Sequence, residues 1–351
     1  MMKNKILITG GAGFIGVNSA RRFLNSGWDV HILDNFSRKG TDLNIEKLKN
    51  EYPTSKLKII KADIVKDYLV LCAAVSQVDV VLHLAAQVAV TTSVANPRHD
   101  FETNALGSFN VLEAVRLSGN KPIVLYSSTN KVYGCLEYLP VKELDKHYQF
   151  NDEEIHRYGI HENINLDYHS PYGCSKGIAD QYFIDYNRIY GLKTVVFRQS
   201  CVYGPFQFGI EDQGWVAWFT IASMLERGIN IYGTGKQVRD LLFVDDLSRL
   251  YELAIGNINK VSGKAYNIGG GPENKLSLLQ FLDKLMSHIG REIPLTYSEM
   301  RSGDQPIFIA DTRKAFKDMG WKPEYDFDTG FDTMVEWITG NKNIFKKFFS
   351  Y

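Results

Sequence analysis

Tyr172 and Lys176 have the spacing of a proton-transfer pair on one turn of a helix. The Tyr-x-x-x-Lys pattern is weak evidence alone, because the chain holds three further copies: Tyr52/Lys56, Tyr138/Lys142 and Tyr232/Lys236. A proline lies inside each of the first two copies and glycines lie inside the third, so none of them is predicted to be helical. By contrast, Ser170-Pro171 is typical of a helix start. We therefore predict that Tyr172 and Lys176 share one helix face.

A cluster of hydroxyl groups follows an apolar run at residues 122–126, which predicts a buried strand. The segment SSTNK at residues 127–131 comes directly after it. Ligands bind at the carboxyl ends of strands in open parallel sheets. We therefore predict that Thr129 contacts a reacting oxygen, while Ser127 and Ser128 support the cofactor and the backbone.

A glycine-rich loop, GGAGFIG at residues 10–16, lies between an apolar strand and a helical pattern. Its glycines permit a tight turn and let backbone N–H groups approach a pyrophosphate at a helix N-terminus. Glycines also make ordinary turns, but Asp34 at the end of the second strand favours a dinucleotide site. An acidic side chain there binds the adenosine ribose and repels a 2′-phosphate, which favours NAD. Arg38 and Lys39 leave NADP as the alternative.

The dinucleotide loop gives the tyrosine and lysine a chemical interpretation. A free phenol has a pKa near ~10 and is a poor base at neutral pH. The ammonium of Lys176 and a positive nicotinamide ring would favour the phenolate of Tyr172 and make it a usable base. The alternative is an amphipathic helix with a packed tyrosine and a solvated lysine. The glycine loop and the hydroxyl cluster together favour the catalytic interpretation.

Short β-branched runs alternate with helical patterns through the first 200 residues. This rhythm predicts an α/β fold, a Rossmann-type doubly wound parallel sheet. The predicted strands are Ile6–Ile8, Val30–Leu33, Leu57–Ile60, Val78–Leu84, Ile123–Tyr126 and Thr194–Phe197. The predicted helices lie near 14–26, 43–51, 66–76, 97–118, 171–190, 214–227, 245–257, 277–288 and 328–340.

The alternation loosens after Arg198, which predicts a second, smaller C-terminal α/β lobe for the substrate. We predict an NAD-binding domain at residues 1–198, with returning elements around 239–270. The substrate-binding lobe is predicted at residues 199–238 and 271–345.

Composition excludes several classes of protein. Lys+Arg and Asp+Glu are both 40 and the sequence pI is about 7.1, so nucleic acid is not an expected partner. The four cysteines show no metal-ligand or disulfide spacing, which is typical of a cytoplasmic protein without a metal site. No apolar run is long enough for a secretory signal or a membrane span, so we expect no membrane contact.

Several longer motifs together resemble one family, the extended short-chain dehydrogenases/reductases that modify nucleotide sugars. The resemblance spans almost the whole chain. It rests on GGAGFIG, Asp34-Asn35, Ala62-Asp63-Ile64, HLAAQ (83–87), SSTNKVYG (127–134), SPYGCSKG (170–177), VYGP (202–205), GKQVRDLLFVDDL (235–247) and GDQPIFIAD (303–311).

The resemblance implies roles for individual residues. It makes Thr129, Tyr172 and Lys176 the catalytic set. The implied NAD-binding residues are Gly10, Gly13, Phe14, Ile15, Gly16, Asp34, Asn35, Ser37, Arg38, Asp63, Ile64, Leu84, Ala85, Ala86, Gln87, Asn104, Ser127, Tyr172, Lys176 and Gln199. The implied substrate-binding residues are Gln87, Thr129, Asn130, Arg239 and Arg301.

Arg239 and Arg301 would bind the diphosphate of a nucleotide sugar, in keeping with the preference of arginine for phosphate oxygens. The alternative for both is a surface charge or an ion pair. Lys131 also keeps two interpretations, a substrate contact or an ion pair with a neighbour such as Glu137.

The residues after Thr129 bear on the reaction. The 4,6-dehydratases of this family carry Asp-Glu there, whereas this chain has Asn130 and Lys131. Neither supplies a carboxylate, so the resemblance implies epimerisation and not elimination of water.

Finer motifs resemble the branch of CDP-tyvelose (CDP-paratose) 2-epimerases, which invert C2 through a transient 2-keto intermediate. These motifs are TNKVYG, SPYGCSKGIADQY, DQGWVAWF (212–219) and AQVAVTTS (86–93). Cys201 stands where 4-epimerases usually carry asparagine. A small residue there fits the 2-epimerase branch, although cysteine itself departs from it.

Other interpretations stay open at this point. One is a UDP-hexose 4-epimerase or another NAD-dependent nucleotide-sugar modifier, and another is an NAD-sensing binding protein without activity. The resemblance also implies a homodimer or homotetramer, with helices 97–118 and 171–190 at the interface. The aromatic chain end, FKKFFSY at residues 345–351, is either an assembly contact or a frayed end.

Overall fold

A parallel sheet lies at the centre of the fold, in a computed structural model that describes residues 4–301 and 303–349. The strands are β1 Lys5–Thr9, β2 Asp29–Asp34, β3 Leu57–Lys61, β4 Val80–His83, β5 Ile123–Thr129, β6 Val141–Glu143, β7 Tyr148–Phe150, β8 Thr194–Gln199, β9 Cys201–Tyr203, β10 Ile229–Tyr232, β11 Val238–Phe243, β12 Lys264–Ile268, β13 Lys275–Ser277, β14 Leu295–Ser298 and β15 Ile307–Phe308. The helices are α1 Phe14–Asn25, α2 Thr41–Glu51, α3 Tyr68–Val75, α4 Val90–Ala95, α5 Pro97–Phe101, α6 Gly107–Leu117, α7 Glu153–Tyr158, α8 Pro171–Tyr190, α9 Trp215–Met224, α10 Val244–Gly256, α11 Ile258–Val261, α12 Leu278–Ile289, α13 Arg313–Met319, α14 Phe327–Gly340 and α15 Lys342–Phe348.

The central sheet confirms the predicted doubly wound topology. Within the described residues it has seven strands, in the order β12-β8-β5-β4-β1-β2-β3, and every pair is parallel. The chain moves outward from β1 to β3, then returns to β4 on the other side of β1. A crevice therefore opens at the carboxyl ends of β1 and β4, where ligands bind in such sheets.

Alternating side chains of the buried strands face two separate cores. Ile6 and Ile8 of β1 pack on the side of α1, α2 and α10, whereas Leu7 packs on the side of α3, α6 and α8. Burial on both faces explains why these strands read as continuous apolar runs in the sequence. The same burial holds the strand ends that carry the candidate site.

All six predicted strands and the predicted helices lie where expected, within a few residues, with one difference. The single helix predicted at 97–118 is broken into α5 and α6 by a π-helical turn, Glu102–Leu106. This turn directs the Asn104 side chain toward Gln87, Asp100 and Ser175. Local periodicity does not distinguish such a turn from a continuous α-helix.

Elements after Arg198 form a second region around its own apolar core. Helices α9, α12 and α14 surround a cluster that includes Phe219, Phe281 and Phe331. Strand β11 pairs with β9, β13 and β15 beside this cluster. The next helix, α10, packs on α1, and β12 completes the central sheet. The predicted domain boundaries themselves stay a prediction.

None of the helices in residues 4–301 and 303–349 is both long and apolar enough to cross a membrane.

Candidate active site

The glycine loop forms a cradle of main-chain atoms. Gly10 has a φ of +68°, and a Cβ on it would lie 2.7 Å from the backbone of Ala85. A Cβ on Gly16 would lie 2.5 Å from Gly11. No side chain caps helix α1, whose N-cap is Gly13, and residues 13–16 line the cavity. The cradle therefore fits a pyrophosphate at a helix N-terminus.

Asp34 lies at the end of β2 and is 8% exposed. Its carboxylate accepts hydrogen bonds from the N–H of Ala12 (3.0 Å) and the N–H of Phe36 (2.8 Å). Burial raises the pKa of this carboxyl group. Each carboxylate oxygen has a second lone pair, so Asp34 can still accept from a ribose hydroxyl. Asn35 donates to Asp63 at 2.8 Å and connects the ends of β2 and β3.

The two serines of the hydroxyl cluster bond to neighbouring elements of the fold, and their predicted support of the cofactor stays a prediction. Ser127 donates to Gln199 Oε1 at 3.1 Å, and Ser128 donates to Asp180 at 2.8 Å. Both therefore anchor the end of β5 to neighbouring elements. Thr129 lines the cavity.

Helix α8 positions Tyr172 and Lys176 as predicted. Ser170 accepts the N–H of Gly173 at 3.0 Å and Pro171 is the first helical residue, which fixes the start of the helix. Lys176 Nζ donates to the carbonyl oxygen of Ser127 at 2.5 Å. Both Tyr172 and Lys176 line the cavity.

Burial shifts the two titrating groups in opposite directions. It raises the pKa of Tyr172 to about 12 and lowers the pKa of Lys176 to about 7. Burial therefore favours the neutral form of both groups. The expectation that Lys176 and a positive nicotinamide ring together favour the phenolate of Tyr172 stays a prediction. Activation of the phenol needs a further positive charge.

Two buried carboxamides orient Thr129. Gln305 Nε2 donates to the carbonyl oxygens of Gly134 (2.6 Å) and Asn130 (3.4 Å), so Gln305 Oε1 must face Asn130 Nδ2, at 2.9 Å. Asn130 Oδ1 consequently faces Thr129, whose hydroxyl donates to it at 3.3 Å. The polarity of the network is thus fixed from the loop at 303–305 to the candidate catalytic threonine.

Lys131 has a partner on that same loop. Its ammonium lies 3.2 Å from Asp304 Oδ1 and 3.1 Å from the carbonyl oxygen of Gly303. The ion pair with Glu137 that the sequence suggested is therefore replaced by one with Asp304. Arg239 shares the same carboxylate at 2.6 Å. Although burial opposes it, Arg239 and Lys131 lower the pKa of Asp304 to about 2.

Arg239 and Arg301 lie outside the wall of the cavity. Arg301 pairs with Asp212 at 3.0 Å and its guanidinium lies 3.9 Å from the centroid of the Tyr232 ring. Their predicted role in binding a diphosphate stays a prediction. Beside Arg239, burial raises the pKa of the Cys201 thiol to about 12, so this position adds no charge.

Asn104 differs from the other implied cofactor residues because it does not line the cavity. Its carboxamide accepts the N–H of Gln87 at 2.8 Å and donates to the carbonyl oxygen of Gln87 at 3.0 Å. It also donates to Asp100 and Ser175. Asn104 therefore holds the backbone that forms one wall.

The remaining implied NAD-binding residues all line one cavity of about 680 Å³, together with Thr129 and Asn130. The sequence did not predict a second group of lining residues, because they come from separate elements that meet only in the folded chain. Thr92, Val202 and Gln213 lie in motifs that the sequence analysis quoted without a binding role. The unpredicted lining residues include Thr92, His99, Thr103, Ser200, Val202, Gln207, Phe208, Ile210, Gln213 and Phe348.

One cluster in the described part of the chain has ligand atoms at metal-like spacing, Cys135, Glu137 and His169. The His169 ring is already engaged, since Nδ1 accepts the N–H of Cys135 and Nε2 bonds to Asp167. Burial also raises the pKa of the Cys135 thiol, which disfavours the thiolate that a metal would need. The cluster carries no metal assignment.

Comparison with known proteins identifies the family. The sequence profile described as GDP-mannose 4,6 dehydratase matches residues 7–334. The chain belongs to this family of extended short-chain dehydrogenases/reductases. The family contains enzymes with different reactions, so membership does not by itself choose among them.

Individual relatives match almost the whole chain. The CDP-paratose 2-epimerase of Salmonella typhi is 43% identical over 341 residues, which cover 95% of this chain and 99% of that protein. The structure of a UDP-glucose 4-epimerase from Thermotoga maritima with UDP-glucose has a TM-score of 0.81 at 30% identity, covering 96% and 99% of the two chains. The dTDP-glucose 4,6-dehydratase DesIV from Streptomyces venezuelae, with NAD bound, has a TM-score of 0.82 at 26% identity, covering 98% and 99%.

These findings confirm NAD as the cofactor and a nucleotide-sugar epimerase as the class of enzyme. The cradle, Asp34 and the cavity volume fit NAD in the fold of this family.

Proposed function

We propose that the chain is an NAD-dependent 2-epimerase that converts CDP-paratose to CDP-tyvelose, or acts on a similar CDP-hexose. Its likeness to the Salmonella typhi CDP-paratose 2-epimerase over nearly the whole chain carries the proposal. Asn130 and Lys131 support it, because they leave no carboxylate at the two positions where elimination of water would need them. The substrate class is therefore a nucleotide sugar whose carbon is inverted without loss of water.

The proposed catalytic residues act on the sugar 2-hydroxyl. Bound NAD would supply the oxidation and reduction at C2, through a 2-keto sugar, and the glycine loop, Asp34, Tyr172 and Lys176 would hold it. Tyr172 accepts the hydroxyl proton once the positive charges of the nicotinamide ring and Lys176 lower its pKa from about 12. Thr129 gives up its 3.3 Å bond to Asn130 and donates to the sugar oxygen as negative charge develops.

The implied substrate residues complete the proposal. Gln87, Thr129 and Asn130 are proposed to contact the sugar, and Arg239 and Arg301 to bind the diphosphate. For that contact each arginine turns from its present carboxylate partner, Asp304 or Asp212, to phosphate oxygens. Charge-assisted bonds to phosphate are strong enough to compete with these pairs.

Bound NAD is the first test. An epimerase regenerates NAD in each cycle, so we expect the cofactor to remain bound through purification. Acid denaturation of the pure protein should release NAD into the supernatant in an amount close to that of the protein. Protein that carries no NAD would count against a tight-cofactor epimerase.

The second test identifies the inverted carbon and separates the alternatives. The protein is incubated with CDP-paratose, CDP-glucose, UDP-glucose or UDP-galactose in deuterated water, and products are followed by NMR. We expect inversion at C2 of a CDP-sugar without deuterium at that carbon, because the hydride stays with the cofactor. Inversion at C4 of UDP-glucose would instead identify a UDP-hexose 4-epimerase, which the likeness to the Thermotoga maritima structure favours. Bound NAD without conversion of any sugar would point to an NAD-sensing protein.

The oligomeric state of the enzyme and its cellular location are also proposals. Helices α6 and α8 expose apolar residues such as Phe109, Leu117, Tyr182 and Ile189, which supports a homodimer or homotetramer built on this face. Light scattering of the purified protein would test it. A cytoplasmic place in lipopolysaccharide O-antigen biosynthesis is the expected setting and stays a prediction.

A further inference from the structure

The aromatic chain end, for which the sequence left two interpretations, is folded against the protein. Helix α15 buries Phe345 completely. The Phe345 ring centroid lies 5.4 Å from that of Trp337 and 5.3 Å from that of Phe208. The described part of the tail, up to Phe349, is therefore part of the core of the second region and not a frayed end.

The two phenylalanines that follow face different parts of the protein. Phe348 lines the cofactor cavity, with its ring centroid 5.1 Å from that of Phe208, which also lines it. Phe349 packs on α9 instead, 5.3 Å from Trp218 between ring centroids, and its carbonyl oxygen accepts a bond from Arg227 at 2.6 Å. Two adjacent residues of the same type thus differ in whether they reach the cavity.

The wall formed by Phe208 and Phe348 stands beside the loop that follows Asp34. A Cβ on Gly40, which precedes α2 with a φ of +91°, would lie 2.7 Å from the Phe208 ring. Arg38 of the same loop bonds to the side chain of Gln213 across the cavity. This is the adenosine end, because Asp34 is the residue suited to the adenosine ribose.

We propose that Phe208 and Phe348 are cofactor-binding residues that hold the adenosine end of NAD in the cavity. Their rings add apolar area on the side of Arg38 and Gln213, beyond the apolar wall that Leu33 and Ile64 already form beside Asp34. Helix α15 keeps Phe348 in place because Phe345 is anchored in the aromatic core. The chain end therefore contributes directly to the retention of NAD between catalytic cycles.

The adjacent phenylalanines provide a matched test. Phe348→Ala and Phe349→Ala are purified alongside wild type, and bound NAD per protein is measured after gel filtration. The release rate is then measured by chasing bound radiolabelled NAD with excess unlabelled NAD. We expect release about tenfold faster in Phe348→Ala and unchanged in Phe349→Ala. Phe348→Leu, which keeps most of the apolar volume, should restore much of the retention.

Thermal unfolding of the variants separates a local effect from loss of the fold. The proposal is overturned if Phe348→Ala releases NAD at the wild-type rate. It is also overturned if Phe349→Ala accelerates release as much as Phe348→Ala does, because the tail would then act only through the stability of the fold. If Phe348→Ala does not fold, the same comparison is made with Phe348→Leu, whose release must be faster than that of Phe349→Leu. No sugar is present, so the outcome is independent of which carbon the enzyme inverts.

Discussion

The cofactor end and the substrate end of the site differ in the groups that form them, which are mainly backbone atoms at the first and charged side chains at the second. At the cofactor end, glycines shape a cradle of main-chain N–H groups that no side chain caps. At the substrate end, Arg239 and Lys131 share Asp304, and Arg301 pairs with Asp212. The proposed NAD site therefore includes backbone geometry that exists in advance, whereas the arginines proposed to bind a diphosphate would first have to exchange partners. Substitutions should separate the two functions cleanly.

The largest effect is expected where the two ends meet. Tyr172→Phe removes the proton acceptor but keeps the ring, so kcat should fall by roughly 10³-fold with bound NAD unchanged. Steady-state kinetics with the sugar substrate and NAD content measure the two quantities. Tyr182→Phe, on the exposed face of the same helix, is the control and should retain wild-type kcat. A Tyr172→Phe enzyme with near-normal kcat would remove this residue from the mechanism.

Gly10→Ala tests the cradle alone. Its φ of +68° disfavours any other residue, and the added Cβ would meet the Ala85 backbone at 2.7 Å. We expect NAD affinity to fall by at least about tenfold, a change of ~1.4 kcal/mol, measured by calorimetry on protein stripped of cofactor. Gly119→Ala, where a Cβ meets no atom within 4 Å, should bind NAD normally. Equal loss in both variants would contradict a specific role for the loop.

Arg239→Met tests the substrate end alone. If the guanidinium binds the diphosphate, KM for the nucleotide sugar should rise by about tenfold or more, since bonds to charged groups contribute ~1.5–3 kcal/mol. Bound NAD should not change. Arg188→Met removes an exposed arginine and serves as the control. A loss of NAD in Arg239→Met would mean that the two ends are coupled after all.

Gln305→Leu breaks the carboxamide network between the ends. It leaves Asn130 Nδ2 and two buried carbonyl oxygens without their partner, which costs about 1–3 kcal/mol of stability. The Asn130 carboxamide, which orients Thr129 before the sugar binds and is itself proposed to contact the sugar, is then free to turn, so kcat/KM should fall by roughly fivefold to tenfold. Kinetics and thermal unfolding measure both effects, with exposed Gln77→Leu as the reference. Unchanged kcat/KM would show that Thr129 needs no such support.

The smallest effect concerns the pH dependence of stability. Burial lowers the pKa of Lys176 from 10.5 to about 7, so between pH 7 and pH 10 the unfolded chain binds a proton that the folded protein does not. Lys176 therefore makes the free energy of unfolding increase as the pH rises from 7 to 10. The raised pKa of Tyr172 acts in the opposite direction only above pH ~10.

Lys176→Met should remove this dependence. We expect it to unfold a few degrees above wild type at pH 7, with the difference shrinking toward pH 9. Thermal unfolding across this range measures it, with Lys193→Met as the exposed control. A difference that stays constant with pH would mean that lysine is not neutralised by burial.

The sequence indicated most residues that line the cavity at the cofactor end, but not the ion pairs at the substrate end, for a physical reason. Gly10–Gly16, Asp34 and Tyr172 act through local geometry, such as a strand end, a tight turn or a helix start, and such geometry leaves a pattern in the chain. The partnership of Lys131 with Asp304 joins residues far apart in the chain, and no local pattern records it.

Two further features depended on tertiary structure in the same way. The sequence did not reveal the π-helical turn at Glu102–Leu106, which lets Asn104 contact the backbone of Gln87. The raised pKa of the Tyr172 phenol could not be foreseen either, because its main cause is the burial of the ring, which depends on the tertiary structure. The spacing of Tyr172 and Lys176 predicts only that they lie close together. The direction of each pKa shift depends on how deeply the side chain is buried.

Strand β12, which completes the central sheet, lies far along the chain from its partner β8, and this order has a consequence for folding. Strand β8 ends at Gln199, but its partner β12 begins only at Lys264, after the chain has passed through much of the second region. A fragment ending near residue 198 would expose β8, which is buried along its whole length, as a bare apolar edge. Such edges template intermolecular pairing. The first 198 residues should therefore aggregate when expressed alone, and completion of the sheet waits for synthesis of the second region.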